Sequence, residues 1–266
     1  MTVSAAAQQA EINAYKKVKK ALGDAEAFAE PAGFETSFPD FGFRVYVNSK
    51  PVDIHIEYKA DSKAQMGSMR DWIFDGRQFV TSKQDATKEE LISVMNSSAD
   101  CVKNGKRLLA NFKEYFDKKI TKIYSGMLTI EPDQKLRRSK LKRFVANTNN
   151  YSLAKITNDD LGNKILDHYK KKFKKAKRSD AASSIMLMML GNEVYFVDRI
   201  NTVPGDLKTI GDMLSNQPIP TMNNLRASLE VRIQPRGLSA EGKPVSIDVM
   251  ASFRLAGKTA AGAPVR

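Results

Sequence analysis

The sequence predicts a mixed α/β (α+β) fold: a central mixed sheet flanked by helices, elaborated towards its C-terminus by helical and β-hairpin segments. Three observations carry this. An apolar stripe at spacings of three and four runs through residues 5–29. Two strictly alternating runs, 43–47 and 52–59, follow it across a short stretch of turn residues. Beyond them, amphipathic helical patterns and paired alternating runs interleave as far as residue 255.

The first helix is predicted over 5–29, with Ile12, Tyr15, Val18, Leu22 and Ala25 on one face and Pro31 as its stop. The next two runs predict a hairpin with Asn48-Ser49-Lys50-Pro51 as the turn. Centring the turn between Ser49 and Lys50 opposes Phe43 with Ile56, Val45 with Ile54 and Val47 with Val52, all apolar. The other side then opposes Asp40 with Lys59, Gly42 with Glu57, Arg44 with His55 and Tyr46 with Asp53. A one-residue slip would turn one strand over and mix these sets.

Residues 61–75 are predicted to begin a further helix, with Met66, Met69 and Ile73 on one face, before an Asp75-Gly76 turn. Residues 88–120 predict one or two amphipathic helices. A buried hairpin is expected over 183–197, turning at Gly191-Asn192, and a short helix over 206–214. Residues 227–233 and 245–255 predict another antiparallel pair, and 257–266 a mobile tail. The expected division is a core over 1–125 and a dependent basic region over 126–256.

The predicted hairpin brings Asp40, Glu57 and Lys59 together at one end of the sheet, since opposed Cβ atoms sit about 5 Å apart and diagonal ones about 7–8 Å. Gly42 is expected to leave space opposite Glu57. Asp53, four residues up the same strand, is about 13 Å from Glu57 and too far to share an ion with it. Two carboxylates and an ammonium at one spot suit a divalent metal and a phosphate.

Pro39-Asp40, sixteen residues, then Glu57-Tyr58-Lys59 resembles the signature of the PD-(D/E)XK nucleases, the restriction-endonuclease-like superfamily. The resemblance covers roughly the first 80 residues. It implies a core of a helix, a short run of strands carrying the motif, a second helix and a further strand. It implies that Asp40 and Glu57 are Mg²⁺ ligands, with Mn²⁺ as a substitute, and that Lys59 orients water and steadies phosphate charge. The backbone carbonyl of Tyr58 is a further metal donor on this reading. Many members add an acid from the preceding helix, for which Glu11, Glu26 and Glu30 all stand open. Gln65 follows the motif lysine as a glutamine does in some members.

The formal charge of +13 concentrates in residues 135–178, where fifteen Lys/Arg less three acids leave +12. One cluster holds Lys135, Arg137, Arg138, Lys140, Lys142 and Arg143, and the other Lys170, Lys171, Lys172, Lys174 and Lys175. Both are expected to contact a polyanion, which gives affinity and salt dependence without sequence readout. The lone cysteine, Cys101, allows no intrachain disulfide, and no Cys/His cluster suggests structural zinc. No Walker loop, dinucleotide loop or GxSxG elbow is present. Residues 1–9 lack the pattern of a secretory leader, so a cytoplasmic protein is expected.

The function expected is a Mg²⁺-dependent DNA endonuclease, restriction-like or nicking, acting on double-stranded DNA, with a homodimer as the form that double-strand cutters often take. The alternatives are a non-catalytic basic nucleic-acid-binding protein, a Holliday-junction-type resolvase, and an assembly protein whose basic face meets an acidic partner.

Overall fold

A computed structural model describes residues 5–31, 38–60, 65–69, 71–81, 86–115, 118–130, 152–157, 159–178, 180–215, 217–222, 227–236, 245–255 and 261–264. The fold is mixed α/β. The chain forms two compact units, one of residues 1–64, 158–227 and 255–266, the other of 65–157 and 228–254. The expected boundary at 125/126 therefore falls inside the second unit, and each unit is discontinuous in sequence.

The first unit opens with helix α1 (Ala5–Leu22), whose Ala14, Tyr15, Val18 and Leu22 are buried. Gly23, at φ +64°, ends it in the left-handed conformation that glycine adopts without cost. The expected helix over 5–29 is thus seven residues too long. Residues 26–29 instead form strand β1 (Glu26–Ala29), antiparallel to β2 (Phe41–Val47). β2 turns through Asn48 and Ser49, both at positive φ, into β3 (Lys50–Lys59). Two central residues at positive φ match the right-handed twist of a tight hairpin.

That turn shifts the register by two residues from the expected one. Phe41 opposes Ile56, Phe43 opposes Ile54, Val45 opposes Val52 and Arg44 opposes Asp53. A two-residue slip keeps every side chain on its face, so the hydrophobic pattern cannot distinguish the two registers. The charged pair does: Arg44 now meets Asp53 at 2.7 and 3.0 Å through Nε and Nη2.

The chain then enters the second unit through β4 (Gln65–Met69), β5 (Trp72–Phe74) and β6 (Phe79–Thr81). A helix is expected over 61–75, and its described part forms strands at 65–69 and 72–74, with 61–64 and 70 outside the described residues; the Asp75-Gly76 turn is present, its carboxylate accepting from the N–H groups of Arg77 and Gln78. Trp72, Phe74 and Phe79 are buried and pack ring on ring, an aromatic content that suits strands. Of the one or two helices expected over 88–120 there are two, α2 (Ala86–Ser97) and α3 (Ala99–Tyr115), with 118–120 outside them, and β7 (Ile123–Tyr124), β8 (Gly126–Ile130) and β9 (Ser152–Thr157) follow.

Back in the first unit lie α4 (Asp159–Ala176), β10 (Ser183–Leu190), β11 (Glu193–Ile200), α5 (Pro204–Ser215) and β12 (Pro220–Met222). The hairpin over 183–197 and the short helix are as expected. β13 (Ala227–Arg236) and β14 (Val245–Leu255) are neighbours in the second unit's five-stranded sheet. β15 (Ala261–Pro264) pairs with β12 at the edge of the first unit's sheet, so this part of the mobile tail expected over 257–266 is a strand, and the rest of that range lies outside the described residues.

Among the described residues the first unit's sheet has seven strands, in the order β1-β2-β3-β10-β11-β12-β15. β3 is antiparallel to β2 and parallel to β10 along its length, from Val52↔Ser183 to Lys59↔Leu190. One face of the sheet packs Phe41, Phe43, Ile54, Ile56, Ile185 and Leu187 against α1 and α5. On α1, Tyr15 stacks on Phe43 at 5.3 Å. On the other face α4 lays Phe173 against His55, so β3 is covered on both sides and Asp53, His55 and Glu57 are all buried.

Gly42 serves a purpose other than the expected one. It opposes His55, and a Cβ there would stand 2.4 Å from the Phe28 ring, so its bare backbone admits that ring to the sheet. Asp53 is 1% exposed and depends on Arg44, which also bonds Asp180. Among the described residues, Arg44→Ala leaves this buried carboxylate with Arg178, at 3.9 Å, as its one cation, so it should lower unfolding free energy by about 3–5 kcal/mol in urea titration. A loss below about 1 kcal/mol would contradict this role.

Candidate active site

β3 ends at the site. Glu57 and Lys59 share its α4-facing side, and the chain enters β2 through the cis Phe38–Pro39 bond and Asp40. One step beyond the observed ladder, the register sets Asp40 opposite Glu57 and not, as expected, opposite Lys59. The three still converge. The Lys59 ammonium lies 2.5 Å from Glu57 Oε1 and 3.8 Å from Asp40 Oδ2, and that Asp40 oxygen accepts the Tyr58 backbone N–H at 2.7 Å. Asp53 is occupied by Arg44 and takes no part.

Of the three acids left open on the first helix, the structure brings one to this place. Glu11 on α1 is within the field of Lys59 and Glu57. Glu26 lies in β1 across from Arg44, and Glu30 accepts the Tyr15 hydroxyl at 2.7 Å. Burial raises the Glu11 pKa, with Lys59 opposing and Glu57 reinforcing the rise.

Sequence reasoning missed Tyr169. It stands on the buried stripe of α4 with Ile165, Leu166 and Phe173, a spacing that reads as core. Its ring is buried, yet its hydroxyl donates to Glu57, and the ring lies 6.5 Å from that of Phe38 beside the Pro39-Asp40 entry. Only the crossing of α4 over β3 creates this contact, so nothing local in the sequence could reveal it. Burial, with the nearby Glu57 carboxylate, holds the Tyr169 hydroxyl far above the ordinary phenol range.

The electrostatics follow from crowding acids in a shielded place. Burial first, then the Glu57 charge, push the Asp40 carboxyl up to about 7, against the pull of Lys59 and the Tyr58 N–H. Burial by itself would lower Lys59, but Glu57, Tyr169 and Asp40 outweigh it and hold the ammonium above its usual range. Among the described residues, no group of three or more His, Cys, Asp or Glu side chains is arranged to hold a metal ion. The donors that do converge on Lys59 are carboxylate oxygens, hard ligands of the kind Mg²⁺ and Mn²⁺ take.

Of the basic residues, Lys171, Lys172, Lys174 and Lys175 project from the exposed side of α4, and Lys170 is 3.7 Å from Asp167. Lys172 sits over the Tyr169 ring, with its ammonium 5.5 Å from the centroid, so this basic face begins beside the site. Lys135, Arg137, Arg138, Lys140, Lys142 and Arg143 lie outside the described residues. Gln65 lies in β4 of the second unit. No helix among the described residues is long and apolar enough to cross a membrane.

His55 is fully buried among Phe28, Phe38 and Phe173, with neither ring nitrogen hydrogen-bonded. Burial lowers its pKa from 6.5 to about 4. The folded chain therefore binds fewer protons here than the unfolded one between those values. This contribution to stability is complete above pH 6.5 and is lost as pH falls towards 4, by roughly 3 kcal/mol. His55→Phe should flatten the urea-midpoint profile across that window, and an unchanged slope would contradict the buried neutral imidazole.

Comparison with protein-family models, with curated proteins and with solved structures finds no match to this chain.

Proposed function

We propose that this protein is a Mg²⁺-dependent DNA endonuclease of the restriction-endonuclease-like class. The observation that carries the proposal is the convergence of Asp40 and Glu57 on Lys59 at the end of β3. The elements of the first unit support the same reading once residues 65–157, which form most of the second unit, are set aside as an insertion after β3: a helix, three antiparallel strands, a helix over the motif face, then a strand parallel to the one bearing Glu57 and Lys59. This is the order that the resemblance implies.

On this reading Asp40, Glu57 and the Tyr58 carbonyl hold Mg²⁺, with Mn²⁺ as a substitute and Glu11 as the helix acid beside them. The bound ion would make water acidic enough to attack at neutral pH and would offset phosphate charge. Lys59 then donates to the attacking water or to a phosphate oxygen, where negative charge develops. Tyr169 keeps Glu57 in its orientation. The lysines of α4 hold the backbone of double-stranded DNA. The exposed lysine face also supports a second reading, a non-catalytic nucleic-acid-binding protein, which retains binding and never cleaves.

Incubation with supercoiled plasmid separates the two. The wild type should nick or linearise it in Mg²⁺ and not in EDTA. Asp40→Ala and Lys59→Ala should each lower the rate at least about 100-fold while DNA affinity stays within a few-fold. Cleavage at full rate by Asp40→Ala would overturn the assignment. Binding without cleavage in either Mg²⁺ or Mn²⁺ would favour the second reading. Changing Lys171, Lys172, Lys174 and Lys175 together to Ala should lower the slope of log affinity against log salt by up to about 3–4.

A further inference from the structure

The Lys59 ammonium does more in this geometry than stand ready for a phosphate. It is 14% exposed, in direct contact with Glu57 Oε1, and its next acidic neighbour is the Asp40 oxygen at 3.8 Å. Glu11 adds a third carboxyl within its field. Two carboxylates drawn to one cation in a shielded place would repel one another without it. The ammonium thus stands where a cation shared by Asp40 and Glu57 belongs.

We propose that Lys59 is the resident counter-cation of this site, and that a divalent ion binds by displacing its ammonium from Glu57. The proposal rests on the reading of Asp40 and Glu57 as metal ligands. Displacement follows from exclusion. A divalent ion on Glu57 would sit about 2.0–2.6 Å from its oxygens. An ammonium left in place on the same carboxylate would then be in close contact with a like charge of twice its size. The Lys59 side chain is a flexible four-carbon stem and can swing its charge away. Tyr169, bonded to Glu57 from α4, holds the carboxylate in place when Lys59 leaves. Metal entry and the arming of Lys59 are then one event: the ammonium released from Glu57 is the one offered to the phosphate.

The test is Mn²⁺ binding by calorimetry on the full chain, with no DNA present. Lys59→Met keeps the stem and removes the charge, and Lys59→Gln keeps a neutral donor for Glu57. Both should bind Mn²⁺ at least about tenfold more tightly than the wild type, and Mn²⁺ should raise their melting temperatures more. Lys17→Met is the control for a general field effect. Lys17 bonds Asn192 in the turn whose Gly191 N–H bonds the Lys59 carbonyl, so it is near the site without touching the carboxylates. Its Mn²⁺ affinity should change less than about twofold.

Equal or weaker binding by both Lys59 variants, or an equal gain in Lys17→Met, would overturn displacement. If the Lys59 variants fold only with Mn²⁺ present, circular dichroism should show Mn²⁺ restoring them where NaCl does not, and failure of that rescue also counts against the proposal. Wild-type plasmid cleavage in the same buffer tells the two levels apart. Cleavage without the affinity gain removes displacement and leaves the nuclease reading standing, whereas no Mn²⁺ binding and no cleavage by any form removes both.

Discussion

The first unit is organised by the covering of β3 on both faces. A strand paired on each edge, with α1 on one side and α4 on the other, leaves no side chain in bulk water along its middle. One side is apolar and needs nothing more. The other carries Asp53, His55 and Glu57 in alternate positions, and each must be accommodated inside the protein. Asp53 takes a bidentate Arg44, and His55 stays neutral in an aromatic cage. Glu57 takes Lys59 and Tyr169. The strand thus grades from an ion pair at its start to a cluster with excess acid at its end, and the excess is what makes that end chemically distinct.

The same covering explains why the site draws on separate parts of the chain. Lys59 and Glu57 come from one strand, Asp40 from the entry to the neighbouring one, Glu11 from α1 and Tyr169 from α4. Parallel pairing of β10 with β3 requires a crossover, and α4 lies immediately before β10 in the chain. That crossover carries Tyr169 and Phe173 to Glu57 and His55, and puts a row of exposed lysines on its outer side. One amphipathic helix therefore both seals the motif face and supplies positive charge beside it.

Much of this was legible in local sequence pattern. Alternation assigned Phe43, Val45, Ile54 and Ile56 to one face and Arg44, Asp53 and Glu57 to the other, and the motif residues did converge. Register was not legible, because a two-residue slip leaves the faces unchanged and both turn centres hold acceptable residues. Arg44 opposite Asp53 was the signal that could have chosen between them. The extent of α1 was misread because Ala25 continues the apolar stripe, although Gly23 marks a C-terminal cap. Helical spacing runs through 61–75, yet residues 65–69 and 72–74 form strands, the second packed through Trp72 and Phe74. Glu11 and Tyr169 depend on contacts between elements distant in sequence, which periodicity does not encode.

On the reading proposed above, the end of β3 is a cation site with the Lys59 ammonium as its present occupant. Anomalous diffraction from crystals soaked in Mn²⁺ would locate that cation. A single strong anomalous peak is expected between the carboxylates of Asp40 and Glu57, with the Lys59 ammonium moved off Glu57 and the Tyr169 hydroxyl still bonded to it. Soaked crystals with no peak there, and with Lys59 still bonded to Glu57, would contradict it.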